Sequence, residues 1–317
     1  MMPMLVDVLL ATYNGSRYLE NQLDSIFAQT HQSFRVLVSD DGSSDATVAI
    51  LAEYQQRFGE RLIIVPNIAP GRGVVRNFEN LMRSSLEDGH SKWVFFCDQD
   101  DVWLPQKIEC MLAEMMRLEA LDGERIPCLV HSDLVVVDES LKVICPSFAK
   151  HQRMDPGNCS PLSLLSINQV TGCAMMVNRA LLKIALPLPC ETIMHDWWCG
   201  LISGSGRRFF IKTPLTLYRQ HGFNQIGAKN RSLKNRLSRF ISDAPGVYRK
   251  VVGLGRSTYC QAQVLQQRLA INGFETGYIE NYISWRGNSW FARVVGYRYY
   301  YVGPEIDRLS RCFLWFK

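Results

Sequence analysis

Trp93-Val94-Phe95-Phe96-Cys97-Asp98-Gln99-Asp100-Asp101 decides how this chain is read: a short apolar run stops abruptly in an acidic cluster. An unbroken apolar run of this length, here Lys92–Cys97, fits a strand buried on both faces, as in a parallel sheet. Ionised carboxylates crowded at a buried strand end repel one another, and a divalent cation relieves that repulsion. Hard oxygen ligands suit Mg2+ or Mn2+, which bind through a carboxylate or two together with substrate phosphates. A solvated acidic turn has the same composition. The strand ahead of it and Trp103-Leu104-Pro105 behind it favour a ligand site.

The same punctuation recurs upstream. Val6–Ala11 reads as a buried strand followed by a helix from Ser16 to Gln29. Phe34–Ser39 is a strand followed by a helix over Asp45–Phe58, with Asp45 as its N-cap. Arg61–Pro66 and Val74–Ser85 repeat the pattern, and Pro105–Leu121 supplies the helix after the acidic cluster. Such alternation predicts an α/β fold with a mixed, mostly parallel sheet flanked by helices. Further on, Cys128–Val137, Gln169–Val177 and Arg208–Tyr218 read as strands, and Ser232–Phe240 and Tyr248–Leu269 as helices. We place the boundary near Gly227, giving a catalytic domain over 1–227 and a basic, mainly helical extension over 228–317.

Composition narrows the function. The chain has 317 residues, 47% of them apolar and 21% charged, an ordinary soluble profile. It shows no apolar run long enough to span a bilayer and no secretory leader, so a cytoplasmic protein is expected. The ten cysteines are scattered without a C-x-x-C pair, which fits core thiols. Residues 228–317 hold 15 Lys or Arg against 5 Asp or Glu, so the preceding part is net acidic. That asymmetry argues against a nucleic-acid-binding core. It suits a tail in peripheral contact with an anionic membrane surface.

In a parallel sheet, ligands gather at the carboxyl ends of the strands, and further polar clusters fall there. Thr12-Tyr13-Asn14-Gly15 follows the first strand. Asp40-Asp41-Gly42-Ser43 follows the second, where a turn and cap reading competes with a carboxylate accepting from a pyrimidine imide. Asn67 to Arg76 carries glycines and two arginines ahead of a helix, suited to a phosphate or to solvent. Met194-His195-Asp196-Trp197-Trp198 sets a carboxylate among aromatics, where lost water raises its pKa toward that of a general base. An N-cap aspartate before an aromatic helix has the same pattern. Tyr218-Arg219-Gln220-His221 ends the last strand.

Ala11-Thr12-Tyr13-Asn14, Asp40-Asp41-Gly42-Ser43, Asp98-Gln99-Asp100-Asp101, His195-Asp196-Trp197 and Tyr218-Arg219-Gln220-His221 occur in the order found in family 2 glycosyltransferases of the GT-A fold. The chain resembles the bacterial rhamnosyltransferase-like branch over about residues 4 to 227. The resemblance implies an inverting, metal-dependent transferase with a dTDP-sugar, notably dTDP-rhamnose, or a UDP-sugar as donor. The acceptor it implies is a saccharide, lipid-linked in some members, in bacterial surface polysaccharide synthesis. It implies that Thr12, Tyr13 and Asn14 line the nucleotide pocket, with Asp41 at the base and Arg76 near base or diphosphate. Asp98 then faces the ribose side, Gln99 belongs to the same nucleotide-sugar site, and Thr171-Gly172 lies beneath the donor sugar. Asp100 and His221 bind the metal, and Asp196 is the catalytic base. Two other classes stay open at this point. A sugar nucleotidyltransferase calls for a glycine-rich triphosphate loop, for which Thr12-Tyr13-Asn14-Gly15 is a poor match. A non-catalytic carbohydrate-binding protein has no need of Asp98, Asp100, Asp196 and His221 together.

Overall fold

The computed structural model describes residues 4–68, 71–222 and 244–287. Strands β1 (Val6–Thr12), β2 (Phe34–Asp40), β3 (Leu62–Ile64) and β4 (Trp93–Cys97) run parallel in the order β3-β2-β1-β4. Every residue of β4 is buried, as its unbroken apolar run requires. Helices α1 (Ser16–Phe27), α2 (Thr47–Phe58) and α3 (Val74–Asp88) make the crossovers. The pairing Thr12↔Asp40 and Leu10↔Cys97 levels the strand ends, so the loops after β1, β2 and β4 emerge along one edge.

Beyond β4 the sheet becomes mixed, in the order β4-β8-β6-β9-β5. The elements are β5 (Val102–Trp103), α4 (Lys107–Asp122), β6 (Cys128–Val137), β7 (Val143–Cys145), α5 (Phe148–Gln152), α6 (Pro161–Leu164), β8 (Met175–Asn178), α7 (Arg179–Ala185), α8 (His195–Ile202) and β9 (Arg207–Arg219). Strand β8 is antiparallel to both β4 and β6, and β6 is parallel to β9. Two reversals restore the direction, so β9 delivers Arg219 and then His221 to the edge where Asp98 emerges.

The expected mixed, mostly parallel sheet between helices is therefore present, with local differences. The strand expected over Gln169–Val177 begins only at Met175, after a 3-10 turn over Gly172–Ala174. The Gly172 amide is turned toward Asp196 instead of a neighbouring strand. Asp45 does not take the formal N-cap position. Its carboxylate accepts from Thr47 N at 3.0 Å and from Ser16 N at 3.1 Å, so it serves the starts of α2 and α1 together. Burial opposes its ionisation, but the hydrogen bonds from Thr47 and Ser16 win and lower its pKa to about 2.

Two apolar layers cover the sheet. One packs α1, α2 and α4 against Val8, Val36 and Phe95. The other joins Leu9, Phe78 and Phe96 to Trp198. Helices α9 (Ala244–Ile271) and α10 (Gly277–Gly287) belong to this second layer, inserting Ala262, Leu265, Leu269, Ile279, Tyr282 and Trp285. Polar contacts secure the docking. Arg268 donates to the carbonyls of Ile184 at 2.9 Å and Leu186 at 3.0 Å, satisfying groups at the end of α7. The expected helix over Ser232–Phe240 and the boundary near Gly227 lie outside the described residues.

Candidate active site

The loops at the carboxyl edge are laced together before any ligand is considered. Thr12, the last residue of β1, donates its hydroxyl to Asp40 Oδ1 at 2.8 Å. Asp40 also accepts from Gly42 N and Ser43 N, so its carboxylate is spent on folding its own turn. Asn14 adopts a left-handed conformation, φ 46°, and accepts from Ser44 N at 2.8 Å. Gln99 pairs with the backbone of Tyr13 in both directions, Tyr13 N donating at 2.8 Å and Gln99 Nε2 donating to Tyr13 O at 2.9 Å. A Cβ at Gly15 would lie 2.2 Å from Gln99 Oε1, which is why glycine stands there. The Tyr13 ring itself is exposed. Asp41 accepts from Asn67 Nδ2 at 3.2 Å and Gly73 N at 2.7 Å, tying in the loop before α3.

The acidic cluster divides into an outer and an inner part. Outermost, Asp100 Oδ2 meets His221 Nε2 at 2.7 Å, and the His221 ring packs on Tyr18 with centroids 4.9 Å apart. A carboxylate oxygen and an imidazole nitrogen brought to one point from strand ends 121 residues apart form a donor pair that suits a divalent cation. Deeper in, Asp98, Asp101 and Cys173 bring their ligand atoms within 4.8 Å of one another. Here a cation is already supplied: the ammonium of Lys107, wholly buried, donates to Cys173 O at 2.6 Å and Thr216 Oγ1 at 2.9 Å and lies over Trp103. Burial draws its pKa down to about 8, against the pull of the surrounding thiols and carboxylates. Burial, then Asp100 and Asp196, push Asp98 up to about 7, and burial with Asp100 and Asp98 also raises Asp101. Lys107 acts on the inner group through its charge without pairing to either carboxylate, whereas Asp100 and His221 already meet at one point, as two ligands of a metal would.

Arg219 frames this cluster. Its backbone N–H donates to Asp101 Oδ1 at 3.1 Å and its guanidinium to Asp100 O at 2.8 Å and Glu139 O at 2.5 Å, while its face rests on Tyr18.

Asp196 stands in the first turn of α8, one residue past the start, and is buried. Its Oδ2 accepts from Gly172 N at 3.0 Å, and its Oδ1 from Asn168 Nδ2 at 3.1 Å and Trp197 N at 2.6 Å. Burial raises its pKa to about 6 despite these donors. That value makes it a base near neutral pH. His195 beside it is sandwiched by Phe78 and Phe96, with centroids 4.0 and 5.5 Å away, and burial lowers its pKa to about 3. It is a neutral packing group here.

Thr12 at the end of β1, Asp196 in the first turn of α8, and Tyr13, Asn14, Asp41, Asp98, Gln99, Asp100, Thr171, Gly172 and His221 on loops and turns thus gather along the carboxyl edge. Arg76 is turned elsewhere: its guanidinium meets Glu79 of its own helix at 2.5 Å and Leu188 O at 3.3 Å. Asp101, Lys107, Asn168 and Arg219 belong to the constellation although the sequence reading gave them no role. The contacts that bring them into the site span 28 to 119 residues, beyond any local pattern.

Residues 7–155 match the family model described as glycosyl transferase family 2. The chain is 27% identical over 288 residues to the dTDP-rhamnosyl transferase RfbG of Shigella flexneri, covering 86% of this chain and 91% of that one. It is also 27% identical over 114 residues to an Escherichia coli enzyme, the UDP-Glc:alpha-D-GlcNAc-diphosphoundecaprenol beta-1,3-glucosyltransferase WfgD, covering 36% and 42% of the two chains. Among solved structures, S. aureus TarS residues 1–349 in complex with UDP-GlcNAc superposes with a TM-score of 0.57 at 14% identity, covering 88% of this chain and 70% of that one. The same fragment with UDP gives 0.53 at 16% identity, covering 98% of this chain and 80% of that one. The fold is GT-A.

Proposed function

From the match of residues 7–155 to glycosyl transferase family 2 we propose that the chain is an inverting, metal-dependent transferase moving a hexose from a pyrimidine nucleoside diphosphate to a saccharide hydroxyl. The similarity to a dTDP-rhamnosyl transferase over most of both chains favours dTDP-rhamnose as donor, with UDP-sugars as the other pyrimidine choice. The similarity to WfgD favours a lipid-linked acceptor in surface polysaccharide assembly. No helix among the described residues is long and apolar enough to cross a membrane. The basic residues of 228–317 are suited to peripheral contact with the anionic membrane that carries such an acceptor.

One observation carries this reading. A buried carboxylate, Asp196, is hydrogen-bonded into place beside an acidic strand-end cluster whose outer member, Asp100, meets His221. In a single displacement the acceptor oxygen attacks the anomeric carbon while the bond to the diphosphate oxygen breaks, through an oxocarbenium-like state. Asp196 takes the acceptor's proton as its oxygen gains a bond, and the nucleoside diphosphate leaves with the electron pair. One carboxylate suffices, and inversion follows. Asp100 and His221 would hold Mg2+ or Mn2+, which would supply Lewis-acid neutralisation of the diphosphate's charge. Thr12, Tyr13, Asn14, Asp41 and Gln99 shape the nucleotide pocket, Asp98 faces the ribose side, and Thr171-Gly172 underlies the sugar. Arg76 reaches the diphosphate only by leaving Glu79.

The test pairs binding with turnover. The protein is heated with dTDP, UDP or GDP, each with Mn2+, with Mg2+ or with EDTA. A ligand at about a hundred times its Kd stabilises by roughly 2.7 kcal/mol. We expect a pyrimidine diphosphate to stabilise only with metal, and Asp196→Asn to bind it equally while losing transfer. Stabilisation that is indifferent to EDTA overturns the metal assignment, and near-normal turnover by Asp196→Asn overturns the base.

A further inference from the structure

The carboxylate of Asp196 is held asymmetrically. Each of its oxygens offers two lone pairs. Oδ1 accepts from Trp197 N at 2.6 Å and from Asn168 Nδ2 at 3.1 Å, whereas Oδ2 accepts from Gly172 N at 3.0 Å and from no other residue among those described. The Asn168 amide is itself oriented, because its Oδ1 accepts from Val170 N at 3.0 Å. That bond leaves the NH2 end no choice but to face Asp196. We propose that Asn168 is a positioning residue for the catalytic base, occupying Oδ1 so that Oδ2 alone is left to take the acceptor's proton. The proposal rests on the assignment of Asp196 as base.

Two consequences follow from the chemistry. The amide fixes the rotation of the carboxylate, which governs how well Oδ2 lines up with an incoming hydroxyl. It also stabilises the ionised form, as any donor to a carboxylate does, so removing it makes Asp196 harder to ionise. The titratable groups around Asp196 are Asp98 at the end of β4, and His195 and Cys199 on α8. Burial keeps the His195 ring neutral and the Cys199 thiol protonated near neutral pH. Asp98 titrates close to the same range and feels the charge of Asp196, so the limb compared between variants is that of the pair, moved through the one member that Asn168 touches.

The experiment measures kcat/KM against pH for the full-length chain with Mn2+ and donor sugar, in the wild type, Asn168→Ala and Asn168→Asp. Asp196→Asn serves as the control. The acidic limb is expected to move up by about one pH unit in Asn168→Ala, and further in Asn168→Asp, where a like charge replaces a donor. The loss is therefore steep below pH 7 and smaller above pH 8. A residue that only braces the loop lowers the rate by one factor at every pH, and superimposable limbs overturn the proposal. Metal-dependent stabilisation by the nucleoside diphosphate checks that each variant is folded. Should the alanine variant fail there, the nearly isosteric aspartate variant carries the comparison. Turnover by Asp196→Asn sinks the base assignment itself, whereas an inactive Asp196→Asn with unshifted Asn168 profiles sinks this inference alone.

Discussion

At the scale of single residues, the site is organised by polar atoms that replace one another's missing partners. Gln99 is the clearest case, since it gives the first loop what a neighbouring strand would otherwise provide. Its amide completes both backbone groups of Tyr13, and Gly15 makes room for it. A methyl at position 15 collides only with the far end of a flexible side chain. The cost of Gly15→Ala is therefore the loss of the Gln99–Tyr13 pairing, about 1–2 kcal/mol, and little more. A double-mutant cycle in urea tests this. Gly15→Ala is expected to be destabilising in the wild type and close to neutral in Gln99→Ala. Additive effects would mean that Gly15 meets an obstacle other than Gln99. In either background nucleoside diphosphate binding is expected to weaken, because Tyr13 and Asn14 are displaced together.

At the scale of elements, Lys107 shows how helix α4 is used. Its ammonium joins the start of that helix to the turn over Gly172–Ala174 and to Thr216 of β9. Its charge also acts on the inner carboxylates through space. Lys107→Met removes that charge and strands Cys173 O and Thr216 Oγ1 without their donor, a loss of roughly 1–3 kcal/mol. The sign with pH is fixed by linkage. Without Lys107 both carboxyls rise further above the unfolded value, so below pH 8 the folded state binds more protons than the unfolded one. Its stability then increases as pH falls. The deficit against wild type is thus expected to be larger at pH 8 than at pH 6 in guanidinium titrations, and a constant deficit would deny the charge argument. Little of this was legible in the sequence. Strands β1, β2 and β4 were, because burial on both faces writes an unbroken apolar run between turn residues. The short β5 and β7 were not, since pairing of Val102 with Leu217, or of Val143 with Val137, leaves no local period. The stretch before Met175 misled because its apolar residues serve a turn whose amide holds Asp196. The strand-end clusters announced a site, but Lys107, Asn168 and Arg219 act through partners that only the folded sheet brings near.

At the scale of the whole molecule, the extension and the sheet share one apolar layer, so they are expected to unfold together. Leu265 and Tyr282 are fully buried in the same cluster as Leu9 and Trp198. Leu265→Ala should cost about 2–5 kcal/mol and shift circular dichroism and tryptophan fluorescence transitions equally. An early separate transition would instead make the helices an independent unit. The acid response of this single unit is a contest between groups of opposite sign. Asp98 and Asp196, raised to about 7 and about 6, take up protons in the folded state and so favour it as pH falls toward 5. His131 works the other way. It is 2% exposed beside Phe210, and burial, followed by the charge of Arg208, lowers its pKa to about 3. The unfolded chain accepts a proton there below about pH 6.5, and the folded chain does not. Stability from this residue is intact above that pH and is lost as pH falls, by about 2 kcal/mol between pH 7 and pH 5. His131→Leu removes the loss. Chemical denaturation at the two pH values should therefore find the variant gaining on the wild type by that amount as the solution is acidified. A constant gap between the two proteins would mean that His131 is protonated in the folded state, and that the interior around Arg208 is wetter than its burial implies.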